Sequence, residues 1–151
     1  FGKEKPDLYL ITIGTSKYIQ SEFDLLYPSK DIQDIKNQFS KNKYYSKIFS
    51  KLISNQDCTI ENIKNIKLFI KDADINDVVI IYYAGHGVLD ENLNYYLATY
   101  DMDFNKPSLR GLIFDELESL LDGIVPLKKV LMVDACHSGE FDKDELILNF
   151  V

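Results

Sequence analysis

Two unbroken apolar runs dominate the hydrophobic pattern of the chain, VVIIYYA from residue 78 and VLMV from residue 130. Both are rich in β-branched or long aliphatic residues and lack the polar alternation of half-exposed strands, which is typical of strands that are buried on both faces. We therefore predict two central strands, over residues 77–84 and 128–135. A glycine-bearing turn should follow each run. His86 and Cys136 would then lie just past the carboxyl ends of the two strands, where open parallel sheets bind their ligands.

The remaining pattern alternates strand-like and helix-like segments. Short β-branched runs bounded by turn residues predict strands, and apolar residues three or four positions apart predict helices. Before the run at residue 78, the pattern predicts a central strand over 7–14, a loop over 15–27, a helix that begins at Pro28 with Ser29 as N-cap, an edge strand over 47–54 and a helix over 59–73. After that run, it predicts a hairpin over 88–99 with an acidic turn, a surface loop over 100–111, and a helix over 113–121 that ends at Gly123. This order predicts an α/β fold, because right-handed crossovers place helices on both faces of a mostly parallel sheet.

Composition narrows the class of protein without identifying it. The chain has 151 residues, of which 46% are hydrophobic and 27% charged, so it is one domain in size and ordinary in composition. No apolar run approaches the ~18 residues of a membrane span, and the net charge of −7 argues against a nucleic-acid partner. Two cysteines make no disulfide framework, so we expect a reducing, cytoplasmic setting. Because the chain begins with Phe1, we expect it to be a fragment or a processed product.

A cysteine and a histidine at the ends of two strands suggest nucleophilic chemistry. If the strands are neighbours, they lie ~4.8 Å apart, and the two side chains can flank one scissile carbonyl. Cys136 would then be the nucleophile and His86 the general acid and base. The oxyanion would need two N–H donors, for which the amides of Gly87 and Cys136 are the candidates. On residues alone, a buried structural cysteine and a hydrogen-bonded core histidine remain the alternative.

Two short motifs carry a resemblance to a known family. YYAGHG at residues 82–87 and DACHSG at residues 134–139 resemble the histidine and cysteine motifs of caspase-like cysteine peptidases, and among these the metacaspases and their bacterial relatives. The cysteine motif matches at all six positions, whereas the histidine motif has Ala84 where serine is usual. The resemblance implies a caspase-like three-layer αβα sandwich with a Cys136–His86 dyad that forms a thioester. It also implies that residues 1–151 are the large-subunit part of a catalytic domain. A C-terminal, small-subunit-like segment would complete the sheet beside the last strand, whose apolar edge would otherwise be uncovered.

The resemblance also implies a substrate class. Metacaspases cleave after arginine or lysine, using acidic residues in the P1 pocket. Asp134, two residues before the cysteine, matches one of these acids, and Asp31 is the candidate for the other, although only the last residue of YPSKD agrees with that motif. Two carboxylates facing a cationic side chain give charge-assisted hydrogen bonds. The alternative for Asp31 is a solvated acid in the first turn of a helix.

Cofactors and the choice of function stay more open. We expect no cofactor, although some members of the family need calcium. Asp90, Asp101 and Asp103 are loop acids in comparable places, with solvated turn acids as the alternative interpretation. The preferred hypothesis is a cysteine endopeptidase, made as a zymogen, with a protein substrate that has Arg or Lys at P1. The alternatives are a catalytically silent caspase-like interaction or regulatory domain, and a caspase-like protease with a non-basic P1 preference.

Overall fold

The computed structural model describes residues 5–137, with Cys136 and His137 described by their backbone. The strands are β1 Leu8–Gly14, β2 Ile48–Ser54, β3 Val78–Leu89, β4 Tyr95–Leu97, β5 Leu112–Ile113 and β6 Lys128–His137. The helices are α1 Pro28–Ser40, α2 Ile60–Lys64, α3 Ile66–Phe69 and α4 Phe114–Ser119. No helix in this part of the chain is long and apolar enough to cross a membrane.

One mixed sheet organises these elements. β2, β1, β3 and β6 lie side by side and parallel, with β1 and β3 in the middle. β3 extends past the end of β1, and its last residues pair with β4 in an antiparallel hairpin that β5 continues. The α/β class, the central position of β3 and the hairpin after it are therefore confirmed. Within the described residues β6 pairs with β3 and with no other strand.

Helices cover both faces of the sheet, as predicted. Alternate residues of β1 point to opposite faces: Ile11 and Ile13 belong to the larger core under α2, α3 and α4, whereas Leu8 and Leu10 pack in a second core with Phe39 of α1. These four β1 side chains have no exposed surface, so the strand is buried on both faces. The αβα layering therefore follows directly from the unbroken apolar runs.

The predicted helix over residues 59–73 is wrong in its continuity. Thr59 does cap the helix, since its hydroxyl accepts the Asn62 N–H at 3.3 Å. The backbone at Asn65 forms a tightened turn, with φ −67° and ψ −7°. This residue is both the C-cap of α2 and the N-cap of α3. The physical reason is that asparagine competes for backbone hydrogen bonds and is a weak helix former. Ile63 and Ile66 on either side of the break are both fully buried.

The predicted cap of the first helix is also wrong. Pro28 is the first helical residue and Tyr27 occupies the N-cap position without a side-chain bond. Ser29 lies inside the first turn, and its N–H donates to Ser16 Oγ at 2.9 Å. A residue from the preceding loop thus replaces a local cap. The third helix is shorter than predicted, because Ile113 belongs to β5 and α4 ends at Ser119.

The two central strands are longer than predicted, and this changes where the reactive residues lie. His86 is inside β3 and Cys136 is inside β6, rather than in turns that follow them. The pairing of β1 with β3 ends at Gly14 and Ala84, so β3 passes the carboxyl end of its neighbour before it reaches His86. The prediction failed because the hairpin with β4 keeps the glycine-containing segment extended.

Thr12 in β1 gives a test of the packing. Its hydroxyl is buried and has no hydrogen-bond partner among the described residues. We expect Thr12→Val to raise the free energy of unfolding by about 1 kcal/mol, because the variant no longer buries an unsatisfied polar group. Thr99→Val is the matched control, since the buried Thr99 hydroxyl donates to the Arg110 carbonyl at 2.6 Å and its loss should destabilise the protein. Urea denaturation of both variants measures the difference. Equal destabilisation of the two would contradict the assignment.

Candidate active site

The two predicted reactive positions lie side by side in the sheet. β3 and β6 are parallel neighbours, and their register pairs His86 with Cys136 and Gly87 with His137. Adjacent strands are ~4.8 Å apart, so the backbones at positions 86 and 136 are as close as two strands allow. The condition on which the sequence-based hypothesis depends, that the two strands are neighbours, is therefore met. The roles of the two residues remain a prediction at this stage.

The ring of His86 is held in one tautomer by the backbone. Its Nε2 lies 2.7 Å from the carbonyl oxygen of Phe23. A carbonyl can only accept a hydrogen bond, so Nε2 carries the proton and donates it. In the neutral ring Nδ1 is then the nitrogen with a lone pair that can take up a proton. The Phe23 carbonyl belongs to a loop that lies 63 residues before His86 in the sequence.

Three aromatic rings lie against His86 and shield part of it from water, although the residue is only partly buried. The centroids of Tyr18, Phe104 and Phe23 lie 5.4, 5.6 and 6.2 Å from that of the imidazole. Phe23 and Phe104 stack on each other with centroids 3.9 Å apart. Burial lowers the pKa of His86 below its ordinary value, and the hydrogen bond to Phe23 opposes this shift. A neutral histidine near pH 7 is the form that a general base requires.

These surrounding residues were missed at the level of sequence. Tyr18 and Phe23 lie in the loop over residues 15–27, and Phe104 lies in the loop over residues 100–111. The available signal was the presence of several aromatic and aliphatic residues in segments that were predicted to be loops. The two loops contact each other directly, because the Phe104 N–H donates to Gln20 Oε1 at 2.8 Å. Both loops are therefore part of the site rather than surface connections.

The loop that carries the Phe23 carbonyl is fixed by side chains at both of its ends. Asn55, directly after β2, accepts the N–H groups of Ser16 and Lys17 at 3.0 and 3.2 Å. Asn55 has a positive φ of 48°, which asparagine tolerates better than most residues. Further along, the carboxylate of Asp24 accepts the Tyr18 N–H at 2.9 Å. These bonds hold the carbonyl that orients His86.

Gly87 is required by close packing in the hairpin. A Cβ at this position would collide with the ring and hydroxyl of Tyr95 in β4. Any other residue at position 87 would displace the Tyr95 ring from its place beside β3, next to His86. The structure thus gives a packing reason for this glycine. The role of its amide as an oxyanion donor stays a prediction.

The two acidic residues of the predicted P1 pocket lie near each other. Gly14, Ala84 and Asp134 form one row across β1, β3 and β6. The first turn of α1 lies against this row: a Cβ on Gly14 would be 2.7 Å from Ile32 Cγ2 and 3.1 Å from the Pro28 carbonyl oxygen. Asp31 belongs to that same turn, which brings its carboxylate towards Asp134.

The electrostatics of this pair agree with the geometry. Partial burial raises the pKa of Asp31 above its ordinary value, and the negative charge of Asp134 raises it further. A solvated acid beside the positive end of a helix would show the opposite shift. The choice between a P1-pocket acid and a helix-terminus acid at position 31 stays a prediction.

Tyr82 lies beside the carboxylates of Asp31 and Asp134, and the three residues together are called the acidic cluster. The sequence analysis did not predict that Tyr82 belongs to it. Its hydroxyl donates to Asp134 Oδ2 at 3.4 Å. Burial, together with the charges of Asp134 and Asp31, raises the pKa of Tyr82 to about 12. The signal in the sequence was its spacing, because residues 82, 84 and 86 alternate along one strand and share a face.

The three loop acids considered for calcium are each engaged within their own loops. Asp90 Oδ1 accepts the N–H groups of Asn92 and Asn94, which holds the hairpin turn. Asp103 caps the turn that follows it, and Asp101 accepts the Thr99 hydroxyl at 3.2 Å. Within residues 5–137 no three His, Cys, Asp or Glu side chains gather in a way that could hold a metal ion. A calcium requirement is left as an untested prediction.

The second cysteine differs sharply from what a nucleophile needs. Cys58 is fully buried, and this burial raises the pKa of its thiol to about 12. A thiol in this state is protonated at neutral pH and inaccessible to reagents. Thiol chemistry measured on the folded protein will therefore report on Cys136.

Comparison with known proteins agrees with this arrangement. The family model of the caspase domain matches residues 9–148. Metacaspase-1 of Candida albicans is 28% identical over 142 residues, and metacaspase-1 of Meyerozyma guilliermondii is 30% identical over 90 residues. These matches cover 81% and 54% of the chain, and the chain spans 31% and 22% of the two relatives.

A solved structure shows the same fold at lower sequence similarity. The crystal structure of protein GSU0716 from Geobacter sulfurreducens superposes with a TM-score of 0.69 at 18% identity. The match covers 89% of this chain and 52% of the other. Sheet order, helices on both faces and the match of the family model over most of the chain lead to one assignment. The chain belongs to the caspase domain family.

Proposed function

We propose that the protein is a cysteine endopeptidase that cleaves after arginine or lysine by means of a Cys136–His86 dyad. The observation that carries this proposal is the register pair His86–Cys136, combined with a histidine whose Nε2 is committed to the Phe23 carbonyl. Because Nδ1 is the remaining basic nitrogen, it takes the proton of the thiol. The thiolate then attacks the scissile carbonyl carbon.

The dyad accounts for both halves of the reaction. Attack forms a tetrahedral oxyanion, which the backbone N–H groups of Gly87 and Cys136 would stabilise. His86 then returns its proton to the leaving amine, and a thioester with Cys136 remains. Water, deprotonated by the same histidine, hydrolyses the thioester and regenerates the thiol. Burial lowers the pKa of His86, so the ring is neutral near pH 7 and can accept a proton.

The acidic cluster supports a basic residue at P1. Burial raises the pKa of Asp31 and the negative charge of Asp134 raises it further, and a cation bound between the two carboxylates would relieve that repulsion. Arginine can form two parallel hydrogen bonds with a carboxylate, and lysine offers three donors from a point charge. A substrate with an acidic P1 side chain would be repelled at this place.

The unpaired edge of β6 supports a further strand as the partner of this domain. Within the described residues β6 has β3 on one side, and Val130 and Met132 are only partly buried there. An apolar edge strand of this length is a site of aggregation unless it is covered. We propose that a small-subunit-like segment of the full-length protein pairs with this edge.

Hydrolysis of matched peptides tests the proposed function. We expect the full-length protein to cleave peptides with Arg or Lys at P1 and not the peptide with Asp, and Cys136→Ala to lose this activity by at least a thousandfold. Assays with calcium and with a chelator determine whether the ion is needed. Full activity in Cys136→Ala would refute the dyad.

A second measurement separates a silent domain from an inactive zymogen. A thiol-reactive peptide with a basic P1 residue should label Cys136 and leave Cys58 unlabelled. Labelling without turnover would indicate a zymogen that needs activation. Neither labelling nor turnover would favour the interaction or regulatory domain, and cleavage after Asp would favour a different P1 pocket.

A further inference from the structure

We propose that Tyr82 is a positioning residue for Asp134, and that its hydroxyl makes the P1 pocket prefer arginine over lysine. This inference rests on the proposed function, since it concerns the same pocket. The starting observation is the contact between Tyr82 Oη and Asp134 Oδ2 at 3.4 Å. The two residues lie on adjacent strands, β3 and β6, in register rows two residues apart.

The strand holds Tyr82 in place independently of the carboxylate. Its neighbours in register are Thr12 of β1 and Met132 of β6, so its backbone is paired on both sides. Thr12 is buried, and the side chains of Tyr82 and Met132 are each half-buried. A tyrosine anchored in the middle of a sheet has only two side-chain torsions to fix. Its hydroxyl is therefore a rigid donor, whereas Asp134 on the outer strand is the group that needs orienting.

The hydroxyl remains a donor at every pH at which the enzyme would work. Burial, together with the charges of the carboxylates that it faces, raises the pKa of Tyr82 to about 12, so the phenol stays protonated. Each carboxylate oxygen has two lone pairs, so Oδ2 of Asp134 can accept from Tyr82 and from a substrate as well. The hydrogen bond thus fixes the plane of the carboxylate without occupying the pocket.

A fixed carboxylate plane matters more for arginine than for lysine. The guanidinium fork requires two acceptors at set positions in one plane, and its energy falls steeply with misalignment. The ammonium of lysine is a point charge whose three donors rotate to meet any nearby oxygen. Orientation of Asp134 by Tyr82 therefore favours arginine, whereas the negative charge of the pair attracts both cations equally.

Tyr82→Phe isolates the hydroxyl, and Tyr45→Phe is its matched control. Tyr45 packs against the same face of the sheet at the far end from the carboxylates. For Tyr82→Phe we expect kcat/KM for an Arg substrate to fall roughly tenfold, mostly through KM, and for the matched Lys substrate to fall less than about threefold. Tyr45→Phe should leave both values, and hence the Arg/Lys ratio, unchanged.

The outcomes separate a positioning role from a structural one. An equal loss for both substrates, carried by kcat, would mean that Tyr82 only supports the fold and would overturn the inference. An unchanged Arg/Lys ratio would overturn it as well. Rescue of the ratio is not expected from Tyr82→His, whose ring is too short to reach Oδ2.

Ligand binding distinguishes failure of this inference from failure of the proposed function. Benzamidine, a planar amidinium, and butylamine are the probes, and the shift of the unfolding midpoint is the measurement. A wild-type protein that cleaves neither peptide but is stabilised more by benzamidine would still support the role of Tyr82, provided that Tyr82→Phe removes the difference. If neither probe stabilises the wild type and no peptide is cleaved, both proposals fail.

Discussion

His86→Asn is expected to lower kcat/KM for a basic-P1 peptide by about a thousandfold. The variant removes the group that accepts the thiol proton and returns it to the leaving amine, and general acid–base catalysis of this kind contributes 10²–10⁴-fold. Asparagine is polar and smaller than histidine, so the fold should be retained even though the Phe23 carbonyl loses its Nε2 donor. Unfolding by urea checks this point independently of activity.

The pH dependence of the same residue has a defined sign. Burial lowers the pKa of His86 below its ordinary 6.5, so the imidazole is neutral at pH 7. As the pH falls through this lowered value the ring becomes charged and can no longer accept a proton. The acidic limb of the kcat/KM profile should therefore have its midpoint below pH 6.5. A midpoint above 6.5 would contradict the desolvated site.

Alkylation of the thiol gives a readout that needs no substrate. In the wild type, the rate of iodoacetamide reaction should reflect a thiolate of Cys136 that His86 promotes. In His86→Asn the same rate should follow an ordinary thiol with a pKa of about 8.5. Cys58 adds no background in the folded protein, because it is buried and its thiol pKa is raised to about 12. If the alkylation rate depends on pH in the same way in the two proteins, His86 is not part of the dyad.

Local pattern predicted the layers of the fold and the central strand β3, because burial on both faces leaves a visible mark on a sequence. The same pattern was less accurate for β6, which lies at the edge of the described sheet and whose Val130 and Met132 are only partly buried. The runs that became β3 and β6 contain no polar interruption, and their neighbouring position in the sheet brings His86 beside Cys136. The exact ends of the strands could not be read, since β4 is what keeps residues 85–89 extended. Pairing between distant segments, rather than the propensity of the segment, decided that boundary.

The surroundings of the site lay beyond sequence reasoning for a related reason. The Phe23 carbonyl is a backbone group, so no residue type marks it as the partner of His86. The Tyr82–Asp134 contact joins residues 52 positions apart, and depends on the register between two strands. Asp134 and Asp31 were both predicted as P1-pocket acids only because the resemblance to metacaspases implies an acid at each position. The coupling between their charges needed the packing of α1 on the sheet.

Asp134→Asn is expected to lower kcat/KM for an Arg substrate by about 100-fold, which corresponds to roughly 3 kcal/mol. The amide keeps the shape of the side chain and can still accept from Tyr82, so the variant removes only the charge. Asp31→Asn should have a smaller effect, near tenfold, because Asp31 lies in the first turn of α1, whereas Asp134 lies in the sheet two residues before Cys136 and is oriented by Tyr82. Asp34→Asn is the control, because Asp34 lies on the same helix. Its side chain is 56% exposed, and its carboxylate pairs with Lys30 at a distance of 2.5 Å.

Asp134→Asn also leads to a prediction for the pKa of Asp31, which can be tested without measuring turnover. The charge of Asp134 is one of the causes that raise the pKa of Asp31, so its removal should lower that pKa towards the ordinary value. The part that is due to burial should persist, and the pKa should therefore stay above 3.8, the value for a solvated aspartate. An NMR titration of the carboxyl carbons in wild type and Asp134→Asn measures the change. If the pKa of Asp31 does not move, the two carboxylates do not share a pocket, and the basic P1 preference would need another source.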